Sequence, residues 1–582
     1  MEVPPGPAYL LRLLPYIIFP PVVVYAFIDL AKILFKVAAS PWLIVITTIL
    51  VNPALFIANR YYRRFRNERA AACNGAVPPP PVQESLLSII GKLTKSMASG
   101  YPGDVMQEWA EEYGNVFQCN LLTNSLIVTL EPDHVKAMLA TEFESFEKGA
   151  VFNDQMKSLL GTGIFNADGK HKFHRSMARP FFTRERISDF EIYERNCDLS
   201  LGHAKNRLAA GHPIDFQDLV SRFTLDSATE FLFGTNVGSL AAGIPYPPLS
   251  AQQNPASFLG HPSNVFIQGF VEGQVRSALR YSLGTEWPLG AEFWADKVSP
   301  MRKVMDEFAE PLMNAALTRR DERLAKGRNI ERHDEATNLL DHLVDQTQDQ
   351  STLKDELVNL LVAGRDTTAC LLTYSLYMLS EHPEVERRLR QEIFDTVGQT
   401  GSPTYDHMRE MKYLRAFINE VLRLYPPVYS KRPVILPSKV SGQKPFYVPA
   451  GTMCYYPVIN IHRRTDIWGP DALSFDPERF LDARVRTYLT RDPYIFCPFN
   501  AGPRICLGQQ FAYHEASFFL VRLLQRFTGF ALAPGANTAP PAAWVHATGR
   551  RAAERVHPMS HLTLYVKGGL WVTMKPLNEE KT

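Results

Sequence analysis

Cys506 sits in the run Phe499-Asn500-Ala501-Gly502-Pro503-Arg504-Ile505-Cys506-Leu507-Gly508, close to the C-terminal end of the chain. A lone cysteine is ordinarily a small packed hydrophobe. The neighbours of this one suit a thiolate that holds a metal. Gly502 and Gly508 bracket a tight turn where a flat macrocycle could press against backbone. Arg504 can neutralise a propionate and Phe499 can cover the sulfur side. Backbone N–H groups aimed at the thiolate would tune its electron donation.

The run matches the pattern FxxGxRxCxG at every fixed position and so resembles the haem-binding loop of the cytochrome P-450 family. The resemblance implies haem b with Cys506 as axial thiolate ligand to its iron, and with Arg504, Phe499 and Gly502 around the cofactor. A thiolate ligand pushes electron density toward the distal side and favours O–O cleavage.

A second group lies in the helical stretch 352–380, as Ala363-Gly364-Arg365-Asp366-Thr367-Thr368. Glycine inside a helix costs about 1 kcal/mol relative to alanine. The expectation is that Gly364 lets a planar ligand or O2 approach the backbone. The Thr367 hydroxyl can bond back to the Ala363 carbonyl and open a local kink. Asp366 and Thr367 then form a polar notch that resembles the family's oxygen-activating pattern. Splitting O2 consumes two protons, which a positioned acid and hydroxyl can supply.

Glu420 and Arg423 share one face of an apolar helix. They resemble the family's ExxR motif, and residues 475–480 resemble its PERF segment. The resemblance assigns Glu420, Arg423 and Arg479 to a buried network that holds the haem pocket. Residues 169–175 resemble the WxxxR helix whose Trp and Arg bond the propionates: Arg175 matches, and His171 stands where Trp is usual. Arg432 is a further propionate candidate.

Helical periodicity predominates in the stretches that must carry these groups, at 352–380, 383–397 and 407–424, and β-like runs are short, at 125–130 and 562–566. The expected fold is mainly α with small β-sheets, a single cytochrome P-450-type domain behind an N-terminal membrane anchor. The expected division is an anchor over 1–69, a Pro-rich linker over 70–82 with Pro78–Pro81 as a stiff spacer, and a catalytic domain over 83–582. Stretches 235–262 and 534–558 read as surface insertions.

Uncharged runs at 13–28 and 37–58 could each meet a bilayer. Pro20 and Pro21 interrupt the first, and Lys32 and Lys36 would sit badly in a lumenal loop, so an interfacial segment fits it equally well. The second is the better span. It runs into Arg60, Arg63, Arg64, Arg66 and Arg69, which favours a cytoplasmic catalytic domain. The absence of an Arg/Ser-rich presequence favours the endoplasmic reticulum over mitochondria. A net charge of +2 without dense basic blocks in the body excludes a nucleic-acid footprint. Seven cysteines, odd in number and without CxxC spacing, place the folded part in a reducing compartment.

Stretches 173–182 and 226–234 resemble fungal microsomal members that hydroxylate alkanes and fatty acids, including relatives that accept aromatic xenobiotics. The family resemblance implies electrons from NADPH through a separate flavoprotein, NADPH-cytochrome P-450 reductase, together with O2 and a lipophilic substrate. Expected pocket walls are 143–160, 264–283, 360–363, 434–436 and the turn near 569–570. An oxygen-independent haem-thiolate isomerase or dehydratase would share the cysteine loop without needing Asp366 and Thr367. A non-enzymatic haem sensor would need neither a reductase nor the notch.

Overall fold

The computed structural model describes residues 3–36, 40–121, 125–168, 171–187, 190–326, 338–428, 430–431 and 444–577. It opens with two long helices, α1 (Pro5–Phe35) and α2 (Pro41–Cys73). Each begins with proline, whose fixed φ and missing N–H suit a first turn. Their apolar side chains are exposed.

The body is mainly helical. Its axis is a segmented central helix: Gln350–Leu361, a π-helical turn at Val362–Asp366, and Thr367–Glu381. Asp349 caps the first segment by accepting from the Ser351 and Thr352 amides. The last segment is buried from Thr368 through Leu379. It is apolar all round because helices and the strands Phe527–Leu532 and Leu564–Val566 cover it. Among its neighbours are Phe216–Phe233, Lys412–Leu424 and the helix that follows the cysteine loop, Gln509–Arg526.

The sheets are small and marginal to this core. β1 (Val116–Asn120) and β2 (Ser125–Thr129) form an antiparallel hairpin. β4 (Ser430–Lys431) and β5 (Met453–Tyr456) extend it in the order β1-β2-β5-β4, with β5 parallel to β2. β3 (Ile214–Asp215), β6 (Phe527–Leu532) and β9 (Trp571–Pro576) make a second sheet in the order β3-β9-β6. β7 (Pro558–Ser560) and β8 (Leu564–Val566) form a hairpin with a short turn carrying His561 and Leu562.

The Pro-rich stretch is tied to the body: the Pro80 carbonyl accepts from the Gln118 amide at 2.8 Å and the Val82 amide donates to the Gln118 carbonyl at 2.9 Å. Prolines lack N–H but keep their carbonyls, so they can pair along a sheet edge. Stretch 534–558 is not simply superficial, because Trp544, Glu554 and Val556 are buried. The Glu554 carboxylate accepts from the hydroxyls of Tyr101, Tyr377 and Tyr425, which offsets the cost of burying it. Stretch 235–262 keeps exposed groups such as Leu249 but contributes Leu240, Ile244 and Phe258 to the interior.

Candidate active site

The cysteine loop is shaped by a glycine with no room for a side chain. Gly502 has φ +59°, and a Cβ there would collide with the Leu139 carbonyl. The Cys506 amide donates to the Phe499 carbonyl at 2.9 Å, which closes the loop. Cys506 is accessible, yet it lies in a recess whose desolvation pushes the thiol up, against the opposing pull of the Gly508 N–H and Arg175. The helix Gln509–Arg526 starts just beyond, and its positive N-terminal end favours a thiolate. Phe499 is half-buried with its ring 5.1 Å from that of Tyr513.

Cations gather beside this loop. Arg175 donates to the Ile505 carbonyl at 2.6 Å, so it braces the loop as well as facing Cys506. Arg504 lies 3.9 Å from Asp168, and its Nε is buried without a hydrogen-bond partner. Lys148 was not foreseen from sequence. Burial first, and then Arg504, lowers its ammonium to about 7, with Asp168 opposing. Two crowded cations and an orphaned guanidinium N–H fit an anion such as a haem propionate. A thiol turned into an accessible recess fits its iron. The His171 side chain and Arg432 lie outside the described residues. One turn beyond His171, buried His174 faces buried Glu356 at 2.5 Å, a contact with no signal in either local motif.

On the central helix, the Thr367 hydroxyl donates to the Ala363 carbonyl at 2.7 Å across the π-helical turn. Gly364 has a different use from the expected one. A Cβ there would approach the Ala228 side chain at 3.0 Å, so the missing side chain serves close packing of two helices. Both oxygens of Asp366 are engaged: Arg365 donates to Oδ1 at 2.5 Å, and Gln274, from the helix Pro262–Ser282, donates to Oδ2 at 2.6 Å. Gln274 is fully buried and its own Oε1 has no hydrogen-bond partner.

In the 569–570 turn the Leu570 amide donates to Asp215 at 3.0 Å. In the β7–β8 turn Leu562 packs on the apolar cluster that includes Leu360 and Val362. His561 feels both Asp366 and Arg365, and burial above all lowers its imidazole to about 4, so it is neutral at physiological pH. Stretch 434–436 lies outside the described residues.

The supporting network is continuous. Arg423 donates bidentately to Glu420 at 2.7 and 2.8 Å and also to the carbonyls of His462, Ala472 and Ser474. Arg479 Nε lies 3.6 Å from Glu420, and its Nη2 donates to Asp471 at 2.9 Å. Glu420, Arg423 and Arg479 are all buried, so each charge depends on the others for compensation. Glu515, on the helix after the cysteine loop, is completely buried, and burial raises its carboxyl well above the usual range while Thr368 opposes. None of the seven cysteines is disulfide-bonded.

The family model for cytochrome P450 matches residues 78–540. Cytochrome P450 52A13 of Debaryomyces hansenii is 34% identical over 88% of this chain and 95% of its own length. Cytochrome P450 52A1 of Candida tropicalis is 36% identical over 71% of this chain and 75% of its own, and Cytochrome P450 52E1 of Candida apicola is 35% identical over 69% and 75%. The chain therefore belongs to the cytochrome P450 family and is a haem-thiolate monooxygenase that draws its electrons from a reductase.

Proposed function

We propose that the protein hydroxylates alkanes, fatty acids or aromatic xenobiotics at the endoplasmic reticulum membrane, facing the cytoplasm and taking electrons from NADPH-cytochrome P450 reductase. The observation that carries this reading is the Thr367–Ala363 hydrogen bond beside Asp366. Binding haem requires no such notch, nor does an oxygen-independent rearrangement. When bound, the haem supplies O2 activation and insertion of one oxygen atom into a C–H bond, with the other atom leaving as water.

The residues of this chain do the rest. Cys506 would hold the iron, and the Gly508 N–H and Arg175 would moderate the charge of its thiolate. Arg504, Lys148 and Arg175 supply cations for the propionates, with His171 and Arg432 as further candidates. Thr367 keeps a hydroxyl at the break in the helix, and Asp366 holds a carboxylate one residue away for proton transfer. Phe266, Phe270, Leu360, Val362 and Leu562 make the neighbouring surfaces apolar, which suits a lipophilic substrate.

The test is the reduced, CO-bound absorption spectrum of the purified protein beside Cys506→Ser, followed by turnover with reductase, NADPH and a panel of alkanes, fatty acids and polycyclic aromatics. A thiolate band lost in the variant, with substrate-dependent NADPH use and hydroxylated product, is expected. A histidine-type spectrum would sink the assignment of Cys506. Turnover indifferent to O2 and NADPH would hand the case to an isomerase or dehydratase.

A further inference from the structure

α1 contains Pro15, Pro20 and Pro21, and each proline removes the amide that the carbonyl four residues earlier would otherwise bind. Pro21 thus frees the carbonyl of Ile17. That carbonyl accepts the side-chain amide of Asn52, inside α2, at 2.8 Å. In water a free carbonyl finds a solvent partner, but in hydrocarbon it has none unless a neighbouring helix supplies one. The surroundings are apolar: Ile17, Phe19, Phe27, Trp42, Leu50 and Phe56 are all exposed. Both helices exceed the roughly 20 residues needed to cross a bilayer.

The outer ends of the pair rest on the catalytic body. At the start of α1, the Gly6 amide donates to the Phe293 carbonyl at 2.9 Å, and a Cβ at Gly6 would strike the Phe293 ring. At the end of α2, Ala71 is buried and its carbonyl accepts the Ala76 amide at 2.8 Å, just before Val77 donates to Pro445. The C-terminal end of α1 at Phe35 and the N-terminal end of α2 at Pro41 are therefore the ends away from the catalytic body. Arg12 and the cluster Arg60, Arg63, Arg64, Arg66 and Arg69 belong to the end near the body, against Lys32 and Lys36 at the other. Exposed Leu289 and Trp294 flank the Gly6 seat, as side chains at a lipid interface would.

We propose that α1 and α2 cross the lipid bilayer as a two-span hairpin, latched by Asn52 on the Ile17 carbonyl, with the N-terminus on the same side as the catalytic domain. Hydropathy and charge along the sequence leave one span and two spans both open, with 37–58 the better span. The hairpin rests on the membrane location proposed above and is independent of the substrate.

Glycosylation acceptor tags test it in microsomes, one fused before Met1 and one in a lengthened insertion within 36–40. The hairpin requires the first to stay unmodified and open to protease in intact microsomes, and the second to be glycosylated. A glycosylated N-terminal tag means a single span, and an unmodified insertion means helices lying on the surface; either overturns the proposal. The reduced CO spectrum of the same microsomes reads the haem assignment separately, so the two can fail independently. Asn52→Leu should raise the fraction of glycosylated N-termini roughly threefold to tenfold. Pro21→Leu, which restores an amide for Ile17, should abolish that sensitivity. No response to Asn52→Leu in the parent chain would remove the latch.

Discussion

Gln274 donates to Asp366 at 2.6 Å from a helix 92 residues earlier in the chain. With Arg365 on the other oxygen, the carboxylate is held at both ends. A hydrogen bond to a charged group contributes about 1.5–3 kcal/mol, so Gln274 has enough influence to set where the acid sits. Asp366→Asn should lower product formation by roughly a hundredfold, the lower range for a general acid. Gln274→Ala should cost about tenfold and make the solvent isotope effect on turnover larger. Unchanged isotope effect and rate in Gln274→Ala would reduce the contact to packing.

Thr367→Ala removes the hydroxyl that answers the Ala363 carbonyl, while the helix on either side stays buried. NADPH oxidation should continue with less product per NADPH and more peroxide. Thr367→Ser, which keeps the hydroxyl, should recover most of the coupling. If Thr367→Ala stays fully coupled, the hydroxyl serves only to accommodate the π-helical turn.

Removing one member of the Glu420, Arg423 and Arg479 group leaves a buried charge without its partner. The expected cost is about 3–5 kcal/mol for Arg423→Ala, read as a fall in the denaturation midpoint and in the haem-loaded fraction. Near-native stability would mean that water replaces the lost partner.

Lys148 links haem retention to pH. Its ammonium is lowered from 10.5 to about 7, chiefly by burial. Between those values the unfolded chain binds the extra proton, so stability of the haem-free protein should rise from pH 7 toward pH 10. Below pH 7 the full penalty of burying the charge remains. Lys148→Met should flatten this rise in urea titrations and speed haem transfer to an acceptor globin. A pH profile identical to the parent's would place the Lys148 ammonium in solvent.

The chemistry-bearing motifs were legible because each is contiguous. The closed loop around Cys506, the Thr367 to Ala363 bond and the Glu420–Arg423 pair all depend on neighbours within a few residues, where backbone geometry dictates what can touch. Periodicity was sufficient for the helical class for the same reason. Local stiffness in the Pro-rich stretch says nothing about which sheet edge it meets, and stretch 534–558 is drawn inward because Glu554 finds its hydroxyls on Tyr101, Tyr377 and Tyr425. The partner of Gly364, Ala228, lies on a helix more than a hundred residues earlier, so no local pattern marks the close approach.

The sequence by itself therefore determined the family and the helical class, and it marked Cys506, Asp366 and Thr367 as the residues to test. Only the tertiary structure decided what holds Asp366, which cation joins Arg504, which turn packs beside Leu360 and Val362, and how α1 meets α2. Those pairings join residues remote along the chain, and their energies depend on distance and burial that exist only once the helices have packed.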